Sequence, residues 1–372
     1  MSTNRVNNEK MNPKKTGKKL SKKQLKKKRQ KKFLIVEFLV LLVLLVVLFG
    51  WSKFGKMDIT SIKNLATNDL DSETKELLSG YTTIAFFGVD NRSNGNYESG
   101  NSDSIMICNI NNETKEVKIV SVYRDTLMDV DGSGKLRKCN YAYNHGGVQE
   151  SIEMLNRNLD LDIQKYVAVD FYALVEAVDA VGGITLPEPL TAEEVQYTNE
   201  YVPEVAFIVG KERTEVYEGQ TELNGVQAVS YCRVRYTAGG DFKRASRQRT
   251  VVQALITKVK SSNVVELNAL VDSMLPNVST NLTEANIIGM ATAMQDYELV
   301  DSHGFPFDMK TGTFGKIGSV DVPCTLETNV SKLYEFLFED TTHVASNQLK
   351  SISQSIEEYT GYTEGDALDY GF

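Results

Sequence analysis

From about Thr82 as far as about Phe338, apolar segments alternate with turn signals, and they read as strands and helices in alternation. "TIAFFGVD" (83–90) reads as a short buried strand that breaks at Gly88 and leaves Asp90 at its carboxyl end. "SIMICNI" (104–110) and "VKIVSVYRD" (117–125) predict the next two strands, joined by the turn-like "NNETKE". After the Gly146–Gly147 break, residues 147–159 read as helical. "DFYALVEAVDAVGG" (170–183) sets Phe171, Leu174, Val175 and Val178 on one helical face, a core face, and stops at a glycine pair. "AVSYCRVRY" (228–236) alternates like a strand. "DFKRASRQRTVVQALITKVK" (241–260) predicts a helix with Asp241 as its cap. Such alternation of strands and helices implies a largely α/β domain in three layers.

Upstream the pattern is different. Phe33–Trp51, "FLIVEFLVLLVLLVVLFGW", is an apolar run long enough to cross a bilayer as one helix. Glu37 interrupts it only near its basic end. The first 32 residues hold fourteen Lys or Arg against one Glu, while the whole chain has a net charge of −8, so everything after the tail is acidic. A Lys-rich flank stays cytoplasmic, which puts the acidic domain outside the cell membrane. A cleaved signal peptide fits less well, because the run is too long and no small-residue cleavage pattern follows. The basic tail reads as a topology anchor against anionic lipid and not as a nucleic-acid arm. The expected organisation is a basic cytoplasmic tail (1–32), a transmembrane helix (33–51), a polar stalk (52–80), an exported domain (81–340) and a weakly ordered acidic tail (341–372).

Little in the cysteine and histidine content suggests a metal cage. Cys108, Cys139, Cys232 and Cys324 lie far apart and read as small buried hydrophobes in or beside strands, with one disulfide left open. The three histidines lack ligand spacing for zinc. "DVDGSGKLRKCN" (129–140) imitates a calcium loop and a phosphate loop, but it lacks the final Glu of the first and the upstream Gly of the second. A hairpin loop fits it better.

Charge concentrates in one further place. "YCRVRYTAGGDFKRASRQR" (231–249) gathers Arg233, Arg235, Lys243, Arg244, Arg247 and Arg249. In a strand, Arg233 and Arg235 point to one face, and in the following helix Arg244 and Gln248 share a face near its amino end. Arginine forks beside a helix N-terminus suit phosphate oxygens, and surface salt bridging is the plainer alternative.

In order along the chain, "GVDNR" (88–92), "NSDSIMI" (101–107), "SVYRDT" (121–126), "KCNYAYNHGG" (138–147), "DFYALVEAVDAVGG" and "LNGVQAVSYCRVRY…GDFKRASRQR" (223–249) resemble the LytR-CpsA-Psr family of membrane-anchored bacterial phosphotransferases. The resemblance runs from about Thr82 to Phe338. It implies an α/β/α domain with a central mixed sheet and an apolar lipid tunnel. It also implies transfer of a glycopolymer from a polyprenyl-pyrophosphate carrier to a peptidoglycan sugar hydroxyl, as a phosphodiester. By position, Asp90 and Asp103 match carboxylates that hold Mg2+ (or Mn2+). Arg124, Arg233, Arg235, Arg244 and Gln248 match residues that grip the pyrophosphate, and Arg92 and Lys138 match positions at the same mouth. Arg124, Asp103 and Arg235 are the candidate catalytic residues. Three positions depart from the family pattern: Tyr123 where Pro is usual, Cys139 where an aliphatic residue is common, and Gly239 where an acid often precedes "GD". Hydrolysis of the pyrophosphate, or lipid binding without catalysis, are the competing functions.

Overall fold

The computed structural model describes residues 58–59, 62, 65–89, 97, 100–274 and 277–371. The basic tail, the run Phe33–Trp51, Asp90 and Arg92 lie outside them. Among the described residues no helix is long and apolar enough to cross a membrane.

A mixed sheet forms the centre. Its strands are β1 (Asp58–Ile59), β2 (Tyr81–Val89), β3 (Ser102–Asn111), β4 (Glu116–Val122), β5 (Lys165–Val169), β6 (Val278–Thr280) and β7 (Glu298–Phe305). They lie in the order β1-β6-β5-β2-β3-β4-β7. β2, β3 and β4 form an antiparallel meander, while β5 joins β2 and β7 joins β4 in parallel. The three expected strands are therefore present: β2 and β3 run a little longer than expected, while β4 stops at Val122, short of the expected end at Asp125.

Period-two alternation sorts the side chains onto two faces. Ala85, Phe87, Ile105, Ile107, Val120 and Val122 pack against Ile152 and Leu155 of α1 (Tyr141–Leu159) and Val330 and Leu333 of α6 (Leu326–Phe338). Ile84, Met106, Ile110, Val117 and Ile119 face the other way, toward Val252 and Ile256 of α5 (Gly240–Ser261). Helices thus cover both faces. Three others, α2 (Phe171–Ala180), α3 (Ala192–Val209) and α4 (Gly225–Arg233), share a smaller core through Val175, Val202, Val205, Val226 and Val229. The predicted core face of α2 is confirmed at Val175 and Val178, both fully buried.

The strand expected over 228–236 is a correction. Residues 225–233 are α4, opened by a capping box in which Asn224 and Gln227 satisfy each other's backbone N–H groups. Close packing against α2 reserves the first position of α4 for glycine, because a Cβ at Gly225 would stand 2.3 Å from the Val175 carbonyl oxygen. Cys232 accordingly lies in a helix, and all four cysteines are free thiols. In α1 the helix begins earlier than expected and bends at Gly146–Gly147, where Gly147 has φ 67°. The loop after Asp129 is a hairpin, as expected, with Leu127–Asp129 paired to Leu136–Lys138.

The chain after residue 340 is not a loose tail. Helix α7 (Asn347–Thr360) buries Leu349, Ile352 and Ile356 in the main core. Its N-cap residue Ser346 donates through N and Oγ to the buried Asp160 carboxylate at 2.7 and 2.6 Å, tying it to the end of α1. The expected stalk also contributes, since Leu65 and Leu70 are buried and Asp58–Ile59 pairs with β6.

Candidate functional site

The site forms where β2 and β4 end and β3 begins. Gly88 pairs with Ser104 and Val89 with Ser102, so Asp103 is the extra residue of a bulge. A bulge re-aims a side chain that would otherwise follow the alternation of its strand. A Cβ at Gly88 would lie 2.9 Å from the Ser104 Cβ, so this crossing requires glycine. One strand over, β4 stops at Val122 and delivers Tyr123, Arg124 and Asp125 to the same edge.

Arg124 is the centre. Its Nη1 donates to Asp103 Oδ1 and its Nε to Asp241 Oδ2, each at 2.8 Å. Asp241 also accepts from Arg244 Nη2 at 3.1 Å, and Gln248 lines the same cleft one turn further along α5. Burial works against the Arg124 charge, but the carboxylates of Asp103 and Asp241 outweigh it and raise its pKa. For Arg244 burial wins despite Asp241, the Arg124 charge adds to it, and its pKa is lowered.

Asp241 was expected to cap α5, and this is corrected. The N-cap is Gly239, with φ 94° and no side-chain cap bond, and Asp241 sits in the first turn holding two arginines. The left-handed backbone also accounts for glycine at 239 in place of an acid. Tyr123, the second departure, packs edge-on against Phe242 at 4.8 Å, under Gly304, where a Cβ would meet its hydroxyl at 2.0 Å. The third, Cys139, is buried and donates its thiol to the Tyr123 carbonyl.

The other predicted residues divide. Lys138 is one carboxylate removed, its Nζ 3.0 Å from Asp125 Oδ1. Arg235 lies within electrostatic reach of Arg124 and Arg244, with its guanidinium over the Tyr236 ring. Arg233 is not with them. Because 225–233 is helical, Arg233 and Arg235 do not share a strand face. Arg233 instead pairs with Glu204 at 3.2 Å between the rings of Phe171 and Tyr201. Nor is the cationic stretch a solvated face: Arg244, Arg247 and Arg249 are all buried. Asp90 and Arg92 fall outside the described residues.

Three acids went unrecognised in the sequence. Asp125 directly follows Arg124 and was legible from that alone. Glu194 holds Arg247 through Oε1, accepting from Nε at 3.3 Å and Nη2 at 3.2 Å. Asp321 comes from nearly two hundred residues downstream and lies beneath the cluster, its backbone N–H bonded to the Asp125 carbonyl. Burial, with the Asp125 and Asp241 carboxylates nearby, pushes its pKa up to about 7. No local pattern marks it.

This arrangement presents preorganised arginine donors and a bulge carboxylate at one sheet edge. Residues 48–320 match the LytR_cpsA_psr family. The polyisoprenyl-teichoic acid–peptidoglycan teichoic acid transferase TagU of Enterococcus faecalis is 32% identical over 237 residues, 62% of this chain and 71% of the relative. Protein gbs0355 from Streptococcus agalactiae shares the fold with a TM-score of 0.60 at 23% identity, covering 76% of this chain and 95% of that one. TagT bound to LI-WTA shares it with a TM-score of 0.56 at 20% identity, over 76% and 96%. With the family match spanning most of the described domain, the chain belongs to the LytR-CpsA-Psr family.

Proposed function

We propose that this protein transfers a glycopolymer of the teichoic-acid class from a polyprenyl-pyrophosphate carrier to a sugar hydroxyl of peptidoglycan. The observation that carries this reading is Arg124, fixed between Asp103 and Asp241 with Arg244 behind it. A guanidinium has five N–H donors. Two are used in holding Arg124 in place, which leaves three for phosphate oxygens. In the step, the acceptor oxygen bonds to the sugar-bearing phosphorus and its proton leaves to solvent. The bridging P–O bond breaks and polyprenyl phosphate departs. Negative charge grows on the departing phosphate, where Arg124, Arg244 and Arg235 supply positioned positive charge without reorganising. Gln248 adds an amide donor to the same wall.

Mg2+, or Mn2+, is the cofactor we assign to Asp103 together with Asp90. Asp103 suits that role: its side chain is about a third exposed (31%) on its bulge, with Oδ1 engaged by Arg124. Among the described residues no three His, Cys, Asp or Glu form a closed cage. A hydrated Mg2+ takes one or two carboxylates and fills its shell with phosphate oxygens and water. When bound, it neutralises charge on the pyrophosphate oxygens.

Phe33–Trp51 is assigned as a single span with the basic tail cytoplasmic and the domain outside, from the Lys-rich flank. Protease added to intact protoplasts should remove the domain, and protection of it overturns the topology. The function itself is tested with the purified full chain, a lipid-linked saccharide, Mg2+ and glycan strands. A covalent saccharide–glycan product supports it. Release of free saccharide phosphate alone makes the protein a hydrolase, and no turnover makes it a binding protein.

A further inference from the structure

At Arg235 the phosphate-facing charge ends and an aromatic surface begins. The Arg235 guanidinium lies 5.4 Å from the Tyr236 ring centroid, and its Nη2 donates to the Tyr236 hydroxyl at 3.4 Å. Tyr236 is 57% exposed. Its ring stands 5.9 Å from that of Tyr197, inclined at 43°, and Tyr201 lies within electrostatic reach of its hydroxyl. Tyr197 and Tyr201 are four apart on α3 and so share one face of that helix.

This surface is held in place. The buried Arg247 donates to the Val234 carbonyl at 3.2 Å and to Thr237 Oγ1 at 2.9 Å, gripping both ends of the turn that carries Arg235 and Tyr236. The same guanidinium is anchored on Glu194 in the first turn of α3. One arginine therefore fixes the turn to the helix that bears the other two tyrosines.

We propose that Tyr236, Tyr197 and Tyr201 form a saccharide subsite that takes the pyranose ring attached to the pyrophosphate of the lipid-linked donor. A pyranose presents a face of C–H bonds ringed by hydroxyls. A tyrosine matches it with an apolar ring face and a polar tip. Here the Tyr236 hydroxyl accepts from Arg235, Tyr201 lies within electrostatic reach of Arg235, and the Glu200 carboxylate lies within electrostatic reach of Tyr236. A polyprenyl chain would take the Arg235 guanidinium and the tyrosine hydroxyls out of water while offering no hydrogen bond of its own, at a cost of a few kcal/mol. Arg235 contacts Tyr236 and lies within electrostatic reach of Arg124 and Arg244, so the ring would begin where the phosphate ends.

The assignment rests on the pyrophosphate reading above, and the test separates the two. The full chain in detergent is titrated with two probes: polyprenyl pyrophosphate alone, and polyprenyl pyrophosphate bearing one N-acetylglucosamine. The wild type should bind the sugar-bearing probe more tightly. Tyr236→Ala and Tyr197→Ala should each reduce that preference about 5- to 10-fold, the scale for truncating a well-packed aromatic contact. Tyr236→Phe, which keeps the ring, should retain most of it. If Ala at either position weakens both probes equally, the tyrosines act through Arg235 on phosphate and the subsite is wrong. It is equally wrong if the preference is unchanged while KM for glycan strands rises, because the surface then serves the acceptor. Failure of the wild type to bind either probe overturns the pyrophosphate reading itself, and the subsite with it.

Discussion

Arg124 and Asp241 stand 117 residues apart in the chain and are joined by an Nε–H···Oδ2 hydrogen bond of 2.8 Å. One comes from the end of a sheet strand and the other from the first turn of a helix. The bond fixes the orientation of the guanidinium before any substrate arrives. Arg124→Lys keeps the charge but has no planar fork with which to span Asp103, Asp241 and a phosphate. Transfer should fall on the order of 10²-fold at saturating Mg2+, the usual effect of losing one positioned donor. Lys243→Gln, at an exposed position of the same helix, is the control and should be near wild type. Equal behaviour of the two variants in the transfer assay removes Arg124 from the chemistry.

Asp241 is a clamp and not a cap, and the two roles respond differently to serine. Serine is a competent helix-start residue, so Asp241→Ser should be harmless if capping were its task. As a clamp it leaves Arg124 and Arg244 short of a carboxylate in a partly buried cleft. We expect a loss of about 1–3 kcal/mol in denaturant unfolding together with a large loss of transfer. A silent Asp241→Ser variant contradicts the geometry.

Much of this was legible in the sequence, and the misses have physical causes. The strands β2, β3 and β4 follow from short apolar runs bounded by turn signals, and α5 from its periodicity. The segment 228–236 misled because Tyr231, Arg233 and Arg235 alternate like a strand. The competing signal was local: Asn224 with Gln227 three residues on is a helix-start pair. The bulge at Asp103 had no such signal, since it depends on register against Gly88–Val89. Asp321 joins the cluster only through the pairing of distant strands. Helix α7 was missed because acidic and Ser-rich composition concealed the spacing of Leu349, Ile352 and Ile356.

Metal dependence should weaken when the bulge carboxylate is neutralised. Asp103→Asn keeps a hydrogen-bond acceptor for Arg124 but loses the negative charge that a hydrated Mg2+ requires. A higher Mg2+ concentration for half-maximal transfer, with an unchanged melting curve, is the expected result. An unaltered Mg2+ titration takes Asp103 out of the metal site.

Leu349 in α7 is fully buried. Truncation to alanine should cost about 2–5 kcal/mol, transfer plus cavity, read as a lowered denaturation midpoint. A chain cut after residue 340 should lose the cooperative transition. A dispensable tail would leave both unchanged.

Asp321 gives the protein a dependence on pH opposite in sign to that of an ordinary salt-bridged acid. Its carboxyl is buried, with Asp125 and Asp241 raising its pKa and Lys138 and Arg124 opposing them, and it titrates at about 7. An unfolded aspartate titrates at about 3.9. Between those values the folded state holds more protons than the unfolded one, so this residue's contribution to stability falls as pH rises through the window. Above pH 7 the full penalty is present, on the order of a few kcal/mol. Asp321→Asn is neutral at every pH and escapes it. The variant should therefore gain melting temperature relative to wild type at pH 8, and the gain should shrink toward pH 5, where the wild-type carboxyl is protonated. Comparing variant with wild type at each pH cancels the other carboxylates, such as Asp160, whose pKa is lowered by hydrogen bonds despite burial. A difference in melting temperature that is the same at pH 5 and pH 8 means Asp321 is ionised throughout, and the acid beneath the arginine cluster then carries a fixed charge.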